Sequence, residues 1–143
     1  MSDPRYEAGM KVRREVLGDE HVDRASANAT DFSRPFQEYI TRAAWGEAWT
    51  SEGLDRKTRS CITLAILTAL RAENEIPMHV RAAIRNGLTP DEIREVIMHT
   101  AVYAGVPAAN SAIAIAQKTL DEEPGRPRAS AQPRGPGIPG VDP

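Results

Sequence analysis

Apolar residues recur along this chain at the three- and four-residue spacing of amphipathic helices, and no useful stretch alternates as a strand would. The clearest helix begins after the capping box Thr89-Pro-Asp-Glu92 and ends at Gly105. The whole pattern predicts about six helices, and therefore an all-α fold in one helical domain. These helices are expected at about residues 6–17, 33–50, 56–72, 77–85, 90–104 and 108–122, with a polar surface connection around His21.

Two of the predicted helices are apolar on more than one side. Residues 61–70 are apolar nearly all round, which is typical of a helix at the centre of a domain or one covered by a partner. Residues 98–104 are apolar except for His99, Thr100 and Tyr103. An outer face that becomes apolar halfway along a helix indicates contact with another subunit.

Composition divides the chain into a domain and a tail. The last twenty residues are rich in proline, glycine and arginine and contain almost nothing to bury. Segments of this kind cannot offset the entropy of ordering by burying apolar surface. We therefore expect a helical domain over residues 1–123 and a disordered tail over 124–143.

Charge and apolar content exclude several classes of protein. The formal net charge is -2, which argues against a strongly basic nucleic-acid binder. The first residues are polar, unlike a signal peptide, and the longest apolar run is too short to cross a bilayer. Cys61 is the single cysteine, so an internal disulfide is impossible. We expect a cytoplasmic protein that binds neither nucleic acid nor membrane.

The candidate chemistry is concentrated around two histidines. Glu75 and His79 are four residues apart, so on a helix they lie one above the other, and His99 lies on the next predicted helix. The three could ligate a metal, but the HExxH pattern is absent and the spacing alone is weak. A Glu–His pair can instead set the tautomer and pKa of an imidazole for acid–base chemistry. From the residues alone, a structural role at the polar edge of a helical core stays open.

Arginines and tryptophans form a second group of candidates. Arg42, Trp45 and Trp49 fall on one side of the second predicted helix. They would suit either a core or subunit contact, or an aromatic wall with an arginine beside it for a planar anion. Arg59 belongs to a cluster of cations in the first turns of the third helix, where the helix dipole does not favour them. A nearby anion or a solvated surface would account for that cluster.

Several segments together resemble the 4-carboxymuconolactone decarboxylase family. They are FQEYITRAAWGEAWTSEGLDRKTRSCITLAIL and HVRAAIRNGLTPDEIREVIMHTAVYAGVPAANSA, and the opening YEAGMKVRREVLGDEHVDRA is similar as well. The resemblance covers about residues 5–122. The wider superfamily includes alkylhydroperoxidase-like proteins with a CxxCxxxH centre. His79 matches the histidine of that centre, whereas Ala72 and Glu75 stand at its cysteines, so the thiol peroxidase mechanism is excluded.

The resemblance implies an alkylhydroperoxidase-like helical fold that assembles into ring-like hexamers. It also implies cofactor-independent decarboxylation of 4-carboxymuconolactone, a lactone dicarboxylate, to 3-oxoadipate enol-lactone in protocatechuate catabolism. No metal or organic cofactor is expected, because the lactone itself accepts the electrons. The alternative is a helical oligomer of the same superfamily that does not decarboxylate, or a related lactone-acting enzyme.

Roles for individual residues follow from the resemblance together with this chemistry. We expect His79 to be the general acid and Glu75 to position it. His99 would be an oxyanion donor or a second proton relay, together with Tyr103 one turn along the helix. The expected substrate-binding residues are Arg42, Trp45, Arg59 and Tyr103, with the two arginines on the retained carboxylate and the tryptophan as pocket wall.

Overall fold

The structure is a computed structural model that describes residues 3–122. Within that range the regular secondary structure consists of helices alone, joined by turns and loops. The helices are α1 (Pro4–Leu17), α2 (Asp19–Ala27), α3 (Arg34–Ile40), a π-helix (Thr41–Ala48), α4 (Arg56–Ala69), α5 (Ile76–Arg85), α6 (Pro90–Ala104) and α7 (Val106–Asp121), with a 3-10 turn (Glu73–Glu75) before α5. The all-α prediction is confirmed. The tail predicted over 124–143 lies outside the described residues, and the domain boundary stays a prediction.

The prediction of a surface connection around His21 is wrong. Residues Asp19–Ala27 form α2, which begins directly after α1. Gly18 makes this possible, because its φ of 90° turns the chain in a conformation that other residues rarely adopt. Val22 is fully buried and fixes α2 against α1 and α5. Val22 is the one large apolar residue among the nine of α2, which gives too little periodicity for a sequence pattern to reveal the helix.

Two apolar clusters meet on opposite sides of α5. The larger cluster includes Val80 and Ala83 of α5, and the smaller one includes Ala82. The larger cluster adds Leu64, Ile76, Leu88, Ile93, Ile97, Ala109, Ala112 and Ala116, and the smaller one adds Val12, Val16, Leu17, Val22 and Trp45. A shift of α5 would therefore disturb both cores, so the position of His79 on this helix is tightly determined.

The second predicted helix is one continuous helical segment that changes its winding. It begins as α3 and continues as the π-helix, whose wider turns are marked by the hydrogen bond from the Trp49 N–H to the Ala44 carbonyl at 2.9 Å. Such segments are rare and often occur at functional sites. Here the π-helix carries Arg42 and Trp45 and packs closely on α1 through Gly9 and Gly46.

Large apolar side chains remain on the surface of α4 and α6. Ile66 and Leu70 are exposed on α4, and Val102 is 78% exposed on α6. The expected apolar outer faces of these two helices are therefore present. No helix in the described part of the chain is both long and apolar enough for a membrane span. The cytoplasmic location stays a prediction.

Candidate active site

His79 lies in the first turn of α5, which begins directly after the 3-10 turn. Pro77 occupies the first turn of the helix, where its missing N–H leaves no bond unmade. The imidazole is half-buried, and this burial is the main reason why its pKa falls from 6.5 to about 4; the charge of His21 lowers it further. His79 is therefore a neutral imidazole near neutral pH in the free protein.

His21 is the site residue that sequence reasoning missed. It is half-buried on α2, and its charge acts on the pKa of His79 across the α2–α5 packing. Its own pKa is lowered first by burial and then by the charges of Arg13, Arg24 and Arg81. The charge of each of these arginines and the partial burial of the ring thus disfavour protonation of His21. The surroundings of His21 depend on where α2 lies, and the sequence pattern did not predict α2.

Glu75 occupies the N-cap position of α5 but makes no side-chain cap bond, and it is exposed. Its carboxylate raises the pKa of His21, as the weakest of the influences on that residue. The influences on His79 are burial and His21, with no contribution from Glu75. Glu75 therefore lies in the same neighbourhood, and its role in positioning His79 stays a prediction.

Trp45 lies in the smaller core rather than on an open surface. It is 6% exposed and packs with the buried residues of α1, and its ring lies 5.1 Å from that of Trp49 at a 30° tilt. Arg42 is half-buried on the same π-helix, and its charge contributes to the lowered pKa of Asp3. The tryptophan is thus a core residue in this structure, while Arg42 points toward the start of α1.

Arg59 is held at the first turn of α4. Its guanidinium donates to the Ser51 carbonyl at 3.1 Å, while its buried Nε has no hydrogen-bond partner. The N-cap of this helix is Asp55, which accepts from the Thr58 N–H at 2.7 Å. Cys61 lies two residues after Arg59, and burial is the main reason why the pKa of its thiol is raised. Its thiol stays protonated near neutral pH, which agrees with the expectation that it is no nucleophile.

His99 and Tyr103 pair with each other on the outer face of α6. Their ring centroids are 5.1 Å apart, and Tyr103 is 80% exposed. No ring contact links this pair to His79 within residues 3–122. Within one protomer, His79 is influenced by the charge of His21, whereas His99 and Tyr103 lie on the exposed apolar face.

Most of the candidate side chains do not line a cavity of the described structure. A cleft of about 320 Å³ between α6 and α7 contains none of the predicted site residues. Glu75 lines a shallow hollow with residues 71–74 at the start of α5. In the part of the chain that the structure describes, no group of three or more His, Cys, Asp or Glu side chains is placed to hold a metal ion.

Comparison with known proteins gives consistent matches over most of the chain. A family model described as the carboxymuconolactone decarboxylase family matches residues 34–118. The 4-carboxymuconolactone decarboxylase of Acinetobacter baylyi is 48% identical over 118 residues, covering 82% of this chain and 88% of that protein. The nitrosuccinic acid decarboxylase of Metarhizium robertsii is 48% identical over 117 residues, covering 82% of each. A 4-carboxymuconolactone decarboxylase sequence from Pseudomonas putida is 60% identical over 43 residues, which are 30% of this chain and 90% of that sequence.

Proposed function

The chain belongs to the carboxymuconolactone decarboxylase family, and we propose that it converts 4-carboxymuconolactone to 3-oxoadipate enol-lactone. The observation that carries the proposal is the 48% identity to the Acinetobacter enzyme over 82% of this chain. The place of this step is protocatechuate catabolism, through the β-ketoadipate pathway. The half-buried His79, whose pKa is lowered chiefly by burial, supports the proposal from the structure.

The reaction requires an electron sink, a proton and a binding site for charge. Breaking the bond to the departing carboxylate releases CO₂ and moves its electron pair through the ring double bond onto the lactone carbonyl. The resulting dienolate takes one proton at carbon and becomes the enol-lactone. Because the lactone accepts the electrons, neither a metal nor an organic cofactor enters the proposed mechanism. Preorganised donors to the developing oxyanion would each contribute about 3–4 kcal/mol, by analogy with acyl-transfer enzymes.

We assign the proton to His79. Its pKa is lowered by burial and, to a smaller extent, by the charge of His21, and a dianion bound nearby would shift it the other way because negative charge stabilises the imidazolium. Substrate binding would therefore raise its pKa and load it with the proton that the dienolate needs. Glu75 would position this imidazole. His99 and Tyr103 would act as oxyanion donors or as a relay, Arg42 and Arg59 would hold the retained carboxylate, and Trp45 would support the pocket wall from the core.

Nitrosuccinic acid is a second candidate substrate, because the Metarhizium enzyme is equally similar in percentage identity. In both compounds, CO₂ can leave beside an electron-withdrawing group while a second carboxylate stays on the molecule. The test is to supply each compound to the purified chain without thiol or added metal and to follow CO₂ release. We expect faster turnover of the lactone, also visible as loss of lactone absorbance. A larger kcat/KM for nitrosuccinate would favour the second candidate, and no turnover of either compound would favour a non-decarboxylating member of the superfamily.

We also propose that the chain forms a homohexamer through the apolar faces of α4 and α6. The second half of α6 carries exposed apolar side chains, namely Met98, Val102 and Tyr103. Covering them in a subunit contact would bury apolar area and would place His99 at or beside the interface. This assembly would explain why one protomer leaves two candidate site residues exposed.

Introducing a charge on this face is expected to dissociate the assembly. We expect Val102→Asp to shift the oligomer to smaller species in sedimentation velocity or light scattering, because a carboxylate in an apolar contact would lack a partner. Ala8→Asp on α1 is the matched control, since Ala8 is also exposed and helical. An unchanged mass for Val102→Asp would place the subunit contact elsewhere.

A further inference from the structure

Arg13 is a buried cation with only neutral hydrogen-bond acceptors. The residue is 6% exposed, and its guanidinium donates to the Thr41 hydroxyl at 3.2 Å and to the Gln37 side-chain oxygen at 3.0 Å. Its buried Nε has no hydrogen-bond partner. None of the ion pairs found within residues 3–122 includes Arg13. Burial lowers its pKa, although an arginine remains charged near neutral pH.

An uncompensated buried charge of this kind is costly. Removing a cation from water costs several kcal/mol, and hydrogen bonds to two neutral acceptors offset only part of this free energy. The same chain pairs most of its surface arginines with carboxylates, for example Arg14 with Asp19 and Asp23. Among the described arginines that make no ion pair, Arg13 is the one classed as buried, where a missing counter-charge matters most.

A hollow of about 130 Å³ lies beside this guanidinium, between α1, α2 and α3. Its walls include Arg13, Gln37, Thr41 and the Ser26 side chain, and Tyr6 and small or apolar residues complete it. Arg34 and Glu38 also line it and are exposed, and Arg34 pairs with Asp31 at 3.1 Å. The hollow thus combines room for a few heavy atoms with a buried cation in its wall.

We propose that this hollow is a carboxylate-binding site in which Arg13, beside Gln37 and Thr41, holds the carboxylate that the substrate retains, in place of Arg42 and Arg59, neither of which lines the hollow. This assignment rests on the proposed function, whose two candidate substrates both keep one carboxylate after CO₂ has left. The guanidinium fork matches the geometry of a carboxylate, and the Gln37 amide beside it can rotate to donate, whereas the Thr41 hydroxyl already donates to the Gln37 backbone carbonyl at 2.7 Å. It adds a residue of α1 to a site that otherwise draws on α5.

The hollow is linked to the imidazoles through charge. Arg13 lowers the pKa of His21, and His21 lowers that of His79. His21 lies one helical turn before Ala25, which lines the hollow, so both belong to the same side of α2. A carboxylate bound at Arg13 would neutralise that charge and favour protonation of His21.

The first experiment measures binding without turnover. Succinate is titrated into the full chain at low ionic strength, by calorimetry and thermal unfolding, with sodium chloride of equal ionic strength as the reference. We expect succinate, and not chloride, to raise the Tm of the wild type, and Arg13→Gln to lose this shift. Arg94→Gln, which removes an exposed arginine of α6, should bind as the wild type does. No shift in the wild type, or an equal shift in Arg13→Gln, would overturn the site.

The second experiment asks whether the carboxylate in the hollow belongs to the substrate. We expect Arg13→Gln to raise KM on the order of ten- to a hundredfold with a smaller change in kcat, and Arg13→Lys to fall between it and the wild type. Succinate should inhibit the wild type competitively. Noncompetitive inhibition, or an unchanged KM in Arg13→Gln, would overturn the substrate assignment. Failure of the decarboxylase proposal would instead appear as no turnover by the wild type, with the binding result intact.

Discussion

Replacing His79 by glutamine is expected to lower kcat for decarboxylation by about 10²–10⁴-fold, the usual contribution of a general acid. Glutamine keeps a polar side chain of similar reach at this half-buried position of α5 but cannot carry the proton. The reaction would then rely on water to protonate the dienolate. The measurement is steady-state loss of lactone absorbance, with helix content and oligomer mass compared with the wild type. A folded variant with wild-type kcat would remove His79 from the mechanism.

The same variant gives a second readout that does not depend on catalysis. In the unfolded chain the imidazole has its ordinary pKa of 6.5, whereas in the folded chain the pKa is about 4. Between these values the unfolded state binds more protons, so the free energy of unfolding falls as pH falls. His79 would account for a loss of at most about 3 kcal/mol by pH 4. Urea unfolding at pH 7 and near pH 4 should show a weaker loss in His79→Gln than in the wild type.

The titration of His21 does not spoil the comparison between His79→Gln and the wild type. Its pKa is also lowered, so it contributes a loss of stability in the same direction. It is present in both proteins, and most of its contribution cancels in the difference between them. Identical pH dependence in the two proteins would show that His79 is better solvated than its position indicates. His79 would then hold its proton near neutral pH without help from the substrate, so the proposed loading of the proton by substrate binding would fall while the general-acid role would rest on kcat alone.

Helix positions could be predicted from sequence where apolar periodicity and capping agreed. The capping box at Thr89 and Glu92 is present, with the Glu92 N–H donating to the Thr89 hydroxyl at 3.1 Å and the Thr89 N–H donating to Glu92 at 3.0 Å. The predicted end at Ala104 is also correct. By contrast, α2 was missed, since it is fixed by one buried valine and by Gly18. Local pattern carries little information about a helix whose stability comes from a few tertiary contacts.

The candidate site was harder to predict than the fold for the same reason. His79 could be chosen because its spacing to Glu75 and its family resemblance are local properties of the sequence. His21 acts on the pKa of His79 from α2, more than fifty residues earlier in the chain, and Arg13 acts on that of His21 from α1. The burial of Trp45 also depends on α1, which the stripe on its own helix could not show. Residues brought together by tertiary packing leave no short-range signal.

Gly46→Ala is expected to destabilise the protein by about 3 kcal/mol, because it forces apart the closest helix pair in the fold. A Cβ at this position would collide with the Arg5 carbonyl oxygen, and it would lie 3.0 Å from the carbonyl carbon of Arg5 and 3.2 Å from the Thr41 carbonyl oxygen. All three are backbone atoms, which no side-chain rotation can move away. Alanine's higher helix propensity would offset about 1 kcal/mol and leave a net loss. The measurement is the urea midpoint and m-value of unfolding.

Gly53→Ala is the matched control for this prediction. Its added Cβ would meet only the Ser51 side-chain oxygen, at the ordinary contact distance of 3.5 Å, so we expect an unchanged midpoint. Gly9→Ala should resemble Gly46→Ala, since its Cβ would collide with the Thr41 carbonyl oxygen and lie 2.8 Å from the Gly46 nitrogen. The π-helix carries Thr41, which accepts from Arg13, so loosening this contact should weaken succinate binding as well as stability. Equal midpoints for Gly46→Ala and Gly53→Ala would show that α1 and the π-helix are not packed this closely in solution.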